Sequence, residues 1–290
     1  MRGAVAPKRL MTNLLQMIEA TAAHGADGLV GTAREELSRA LYALRRDDGG
    51  FAGLDGRSDP YYTLFAWLGL RALGASYDRN GLCTYMAAHR HAAHAIDAQC
   101  AALLMACEGR SPHATQWSLL IPSLLRGDAH GGAYALFLRC LAVRRIPRWA
   151  ARAAWWHQRR LFQADRASRL PTPQLAAGLV LAALAGAEAL DLVSALAGRQ
   201  CANGGFVSAP NAPADLLATA VARFALGLSA NADKAPCLRA TQAQDLTFIE
   251  ACWLDDGLFG ASPAAAHGDA EHTFYGLLAL GTCAGITRSG

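Results

Sequence analysis

An all-α fold built from repeated helix pairs is what this sequence predicts, and two observations carry the prediction. The first is a phrase that occurs three times: a glycine turn, an aromatic, a polar loop, an Asp, and a Thr near the start of an apolar helix. Its copies are Asp48-Gly49-Gly50-Phe51 leading to Asp59-Pro60-Tyr61-Tyr62-Thr63, and Asn203-Gly204-Gly205-Phe206 leading to Asp215 and Thr219. The third is Asp256-Gly257-Leu258-Phe259 leading to Asp269 and His272-Thr273-Phe274-Tyr275. A helix pair cannot bury its apolar face alone, so such units stack on their neighbours. The second observation is composition: 53% of residues are hydrophobic and 17% charged, which suits a large core of buried helix faces. No window shows convincing two-residue alternation, so little or no strand is expected.

The elements follow in order. Thr32-Ala33-Arg34-Glu35 reads as a capping box opening a helix through Leu44, which residues 45–50 then end. Residues 62–73 form the next helix, stopped by Gly74. The same order of helix, glycine loop and helix returns over residues 191–228 and 246–280. Between residues 75 and 190 the pattern erodes. Glu108-Gly109-Arg110 with His113-Ala114-Thr115 reads as one worn copy, and the segment from Asp128 to Tyr134 as another. Residues 144–169 are basic and carry Trp149, Trp155 and Trp156, with Pro147 early in the segment and Pro171 just after it, which suggests an exposed helix. No linker is visible, so residues 1–290 are expected to form one domain.

A net charge of +4 permits an acidic ligand but is no nucleic-acid footprint. The longest apolar stretch, residues 175–187, is broken by Gly178 and Gly186 and falls short of the roughly 20 residues that span a bilayer. The N-terminus has no secretory apolar core, so a cytoplasmic location is expected. The eight cysteines include no CxxC pair, and Cys83, Cys100, Cys140 and Cys283 fall in helical apolar patterns, as reduced core residues do.

Gly-Gly-Phe, then Asp, then Tyr-Thr or His-Thr heading a helix resembles the β subunit of protein prenyltransferases and its relatives, the class II terpenoid cyclases. The likeness covers residues 34–73 and 192–280. It implies an α/α toroid, with an inner ring of helices inside an outer ring around an apolar central cavity. Gly268-Asp269-Ala270-Glu271-His272-Thr273-Phe274-Tyr275-Gly276 is similar to the segment in which prenyltransferases place the histidine ligand of catalytic zinc. Ala129-His130-Gly131-Gly132, with Tyr134, is similar to the segment whose histidine faces the prenyl diphosphate.

The resemblance also shows departures. Prenyltransferases hold zinc with an Asp, a Cys two residues later and the distant His; Asp215 and His272 match, but Leu217 stands where the thiolate belongs. Ala218 replaces a leaving-group Tyr, and Ala209 and Ala212 fall where basic residues belong. His267, five residues before His272, is the candidate substitute ligand. Class II cyclases protonate their substrate with an Asp-rich motif whose first Asp aligns with Asp215, while its other acids fall on Leu217 and Ala218.

The candidate catalytic residues are therefore His272, Asp215, Asp269 and Tyr275, with His130, Tyr134, Tyr62 and Trp67 as candidate substrate contacts. Asp215, His267 and His272 form the zinc alternative. Each has a plainer reading. Asp59, Asp215 and Asp269 can be helix caps, and Tyr62 holds the same slot as His272. His272 lies where a helix begins, and the dipole there should disfavour its protonated form. His89, His91 and His94 with Cys100 suggest metal or an ordinary helix face. Arg144, Arg145, Arg148, Arg152, Arg159 and Arg160 fit a diphosphate, an anionic lipid surface, a partner, or a solvated outer helix.

Three functions are carried forward. The first is a toroid enzyme acting on an isoprenoid-like or other hydrophobic small molecule with non-standard acid–base chemistry. The second is a non-catalytic toroid that binds a protein partner subunit or carries a ligand. The third is a zinc-dependent prenyltransferase with altered ligands. The Ala- and Arg-rich usage suggests a GC-rich bacterial source.

Overall fold

A computed structural model of the chain describes residues 14–90, 95–109, 148–229 and 236–287. Within them the fold is all-α. The helices are α1 (Leu14–Asp27), α2 (Ala33–Ala43), α3 (Pro60–Ala72), α4 (Arg79–His89) and α5 (Ala95–Cys107). They continue with α6 (Arg148–Gln158), a 3-10 turn (Arg159–Phe162), α7 (Ala164–Ala167), α8 (Thr172–Ala185) and α9 (Leu190–Ala197). The last are α10 (Leu216–Leu228), α11 (Pro236–Ala240), α12 (Gln242–Ala251) and α13 (Ala270–Thr287). Two short strands, β1 (Phe206–Val207) and β2 (Ala214–Asp215), pair antiparallel between α9 and α10.

The three phrases fold alike. In each, the aromatic donates its backbone N–H to the threonine hydroxyl: Phe51 to Thr63 at 2.9 Å, Phe206 to Thr219 at 2.9 Å, and Phe259 to Thr273 at 3.1 Å. In each, the Asp carboxylate caps the following helix. Asp59 accepts from the N–H groups of Tyr61 and Tyr62, Asp215 from that of Ala218, and Asp269 from that of His272. The turns carry a glycine at positive φ, namely Gly49, Gly204 and Gly257. At Gly204 a side chain is barred twice over, because a Cβ would also strike the Gln244 carbonyl.

Within each copy the two helices are buried differently. α3, α10 and α13 present apolar residues all round and lie within the core, whereas α2, α9 and α12 bury one face. α13 packs against α1, α3 and α10; α10 packs against α8, and α8 against α6. The first and third copies are thus neighbours although they stand at opposite ends of the sequence. The turns follow the same order. The second copy's turn rests on α12, and a Cβ at Gly257 of the third copy's turn would stand 3.2 Å from Ala40 of α2.

Two expectations need correction or limitation. The capping box at Thr32 does not form: its backbone is already helical and its hydroxyl bonds the Glu36 carboxylate at 2.5 Å instead of a backbone N–H. His91, His94, His130, Tyr134, Cys140, Arg144 and Arg145 lie outside the described residues. Cys83, Cys100, Cys252 and Cys283 are buried and form no disulfide among the described residues. Burial pushes the thiols of Cys252 and Cys283 up, to about 12 and about 11. No helix among the described residues is long and apolar enough to cross a membrane.

Candidate functional site

The first turn of α13 gathers the most chemically suggestive side chains. Asp269 is its cap: one carboxylate oxygen accepts from the His272 N–H at 2.8 Å, and the other meets His272 Nδ1 at 2.7 Å. The carboxylate thereby fixes the backbone and the imidazole at once. Between them, Glu271 accepts a short hydrogen bond from the Tyr61 hydroxyl of α3. Ligand-capable atoms of Asp269, Glu271 and His272 all lie within 4.8 Å of one another.

Electrostatics sets these groups apart from surface residues. Burial pushes the Glu271 carboxyl up to about 7, with the charges of Asp269 and Asp215 adding to the rise; the Tyr61 hydrogen bond and His272 only partly offset it. For His272, burial lowers the pKa, but the Asp269 hydrogen bond and the charges of Asp269, Glu271 and Asp215 outweigh it and raise the net value. The expectation of a disfavoured imidazolium is therefore overturned: three carboxylates dominate the weaker field of the helix end. Tyr62 is pushed up to about 12 by burial and by the charges of Asp269, Glu271 and Asp59.

An aromatic group adjoins the acids. The ring of Tyr61 lies 4.9 Å from Phe65, and Phe65 lies 5.4 Å from Tyr275 and 5.8 Å from Phe274. Tyr62 is half-buried and meets Tyr61 edge-on at 5.4 Å. Thus His272, Asp269, Tyr275 and Tyr62 are brought to one region, and Asp215, capping α10, reaches Glu271 and His272 through its charge. Trp67 is in the core, where its indole N–H donates to Glu108 at 2.8 Å. His89 bonds the Tyr85 carbonyl of its own helix at 2.9 Å, and buried Cys100 has its thiol raised by desolvation.

Sequence reading missed Glu271 and Tyr61. The register of the copies held the signal: two residues after the Asp stand Tyr61, Leu217 and Glu271, and three after it stand Tyr62, Ala218 and His272. The acid and imidazole absent from the second copy occur at the corresponding slots of the third.

The zinc alternative fits poorly. His267 is exposed, and neither it nor Asp215 belongs to the convergent group found among the described residues. The thiolate position is Leu217, which offers no ligand atom. Among the described residues, the three whose ligand-capable atoms do converge closely enough to hold an ion are Asp269, Glu271 and His272. No family model matches the sequence, and no curated protein matches it.

Proposed function

We propose that this chain is an α/α toroid enzyme akin to prenyltransferase β subunits and class II terpenoid cyclases. It binds an isoprenoid-like or other hydrophobic small molecule in a central cavity and acts on it by proton transfer. The observation carrying this reading is Glu271, a buried carboxyl held at about 7 beside a histidine–aspartate pair. A carboxylic acid that keeps its proton near neutral pH is a general acid suited to an alkene, an epoxide or an ether oxygen.

In this reading Glu271 gives its proton to the ligand, and the carboxylate left behind keeps the Tyr61 hydrogen bond. His272, charged beforehand, then returns its proton to Glu271 and, now neutral, takes one from the cationic ligand, so the ligand is rearranged with no net proton consumed. Asp269 holds the imidazole in place and, with Asp215, favours its recharged form. Tyr61, Phe65 and Tyr275 supply aromatic surface to an apolar ligand and to positive charge developing on it. Closure of the ring is supported by the contact of α3 with α13 and by the order in which the turns rest on neighbouring copies.

Native mass spectrometry of the purified full chain tests the proposal. It is expected to carry an apolar small molecule, and Glu271→Gln to carry an unconverted form of it. If Glu271→Gln, His272→Ala and Asp215→Ala all carried and converted the same molecule as the parent, the assignment would be wrong. A chain that carries and binds no apolar molecule, yet co-purifies in fixed ratio with another protein, would support the non-catalytic subunit instead.

A further inference from the structure

The α6 helix and the turn after it have two opposed faces. Inward, Ala151, Ala154 and Phe162 are buried, Trp155 stacks on Phe162 at 6.0 Å, and the helix packs on α8. Outward, Trp149 and Trp156 are 71% and 66% exposed, and Leu161 at the end of the segment is 46% exposed. Seven residues apart, the two indoles stand on one line of the helix, about 10 Å from each other by its rise. Exposed apolar side chains grouped on one face, rather than scattered singly, mark interaction surfaces.

The charge of this segment has one sign. Residues 148–163 contain Arg148, Arg152, Arg159 and Arg160 and no Asp or Glu. Arg159 lies over the Trp156 ring at 4.5 Å, so a guanidinium is held beside the exposed indole. Arg152, whose Nε donates to the Ala185 carbonyl at 3.2 Å, ties α6 to the end of α8. Arg166 and Arg169 are exposed further on, beyond Asp165 in the sequence.

We propose that this face is a docking surface for an anionic lipid bilayer, on which the protein rests with α6 parallel to the membrane plane. Indoles favour the boundary between headgroups and acyl chains, where the ring is apolar and the N–H is wet. Arginines beside them meet lipid phosphates, and a small residue, Ala153, between the indoles lets the helix lie close. A nucleic-acid surface fits less well, because the whole chain carries only +4 and the aromatics lie on a convex helix. The proposal does not rest on the catalytic reading above, since none of these residues belongs to the α13 site.

Co-sedimentation of the full chain with vesicles tests it, comparing phosphatidylcholine alone with phosphatidylcholine containing phosphatidylglycerol. Binding is expected to the mixed vesicles and to weaken with salt. Arg159→Gln and Arg160→Gln should each lower the partition coefficient about fivefold. Trp149→Ser with Trp156→Ser should lower it about tenfold or more without moving the thermal midpoint, because both side chains are exposed. The proposal is overturned if the parent stays in solution, binds neutral and mixed vesicles alike, or loses nothing with both tryptophans replaced. Retention on heparin with no vesicle binding would overturn it in favour of a polyanion surface.

Discussion

Glu271 keeps its proton through a range in which an exposed glutamate gives it up, and this makes stability depend on pH. Its pKa rises from the ordinary 4.5 to about 7 on folding, so between those values the native state binds a proton that the unfolded chain has lost. The contribution of Glu271 therefore falls as pH climbs through that window. His272, also raised, adds a loss of the same sign above its ordinary value of 6.5. Glu271→Gln cannot ionise, and its stability relative to the parent should improve by up to about 3 kcal/mol from about pH 4.5 to above pH 7. Urea midpoints measured across that range check this, and parallel curves for the two proteins would refute it. The Asp caps were legible at this scale because a cap is set by its own neighbours in sequence. Glu271 was not, because what makes it unusual is Tyr61 on another helix and the burial both share. His272 was misread for a related reason: the local helix end was visible, but the combined field of the carboxylates was not.

At the scale of the element, the threonine of each copy joins the glycine turn to the helix that follows it. Replacing Thr63, Thr219 or Thr273 with Val keeps the shape but strands a buried backbone N–H on Phe51, Phe206 or Phe259. Each change should cost about 1–3 kcal/mol, the desolvation penalty of an unmet donor. Asp215→Ala should cost only about 1 kcal/mol, as a lost cap does. Chemical denaturation separates the two, and equal losses at the threonine and aspartate positions would show that the hydroxyl is no special tie. The repeated hairpins were readable because glycine turns, Asp caps and the threonine tie impose residue types at fixed spacing. The link between the second copy and the third was not. Arg223 lies on apolar α10, and its buried ion pair with Asp245 of α12 also receives the Gly205 N–H and the Gln200 amide. Nothing in the spacing of those residues announces a contact that depends on how two helix pairs stack. Thr32 failed as a capping box for a smaller reason of the same kind, a carboxylate one turn away that the hydroxyl bonds instead.

At the scale of the molecule, the start and the end of the described fold are held together where α1 crosses α13. Gly25 and Gly281 let the two backbones meet: a Cβ on Gly281 would strike the Thr21 carbonyl, and one on Gly25 the Leu277 carbonyl. Those obstacles are backbone atoms, so no rotamer change relieves them and the helices must part. Gly281→Ala is expected to destabilise the protein by about 1–3 kcal/mol or more, as overpacking does. The seam joins the first helix to the α13 core, which also packs on α3 and α10, so the loss should not stay local. Far-ultraviolet and near-ultraviolet circular dichroism should report one shifted urea transition at a common midpoint. An unchanged midpoint would contradict the close crossing, and an early separate transition would contradict a single cooperative unit. Such coupling bears directly on the candidate site, because Tyr61 comes from α3 and Glu271 from α13, and only their packing brings the hydroxyl to the carboxylate. Weakening the crossing should therefore lower the pH at which Glu271 ionises, as water reaches the carboxylate. Comparing the pH dependence of stability in Gly281→Ala with that of the parent would reveal this shift.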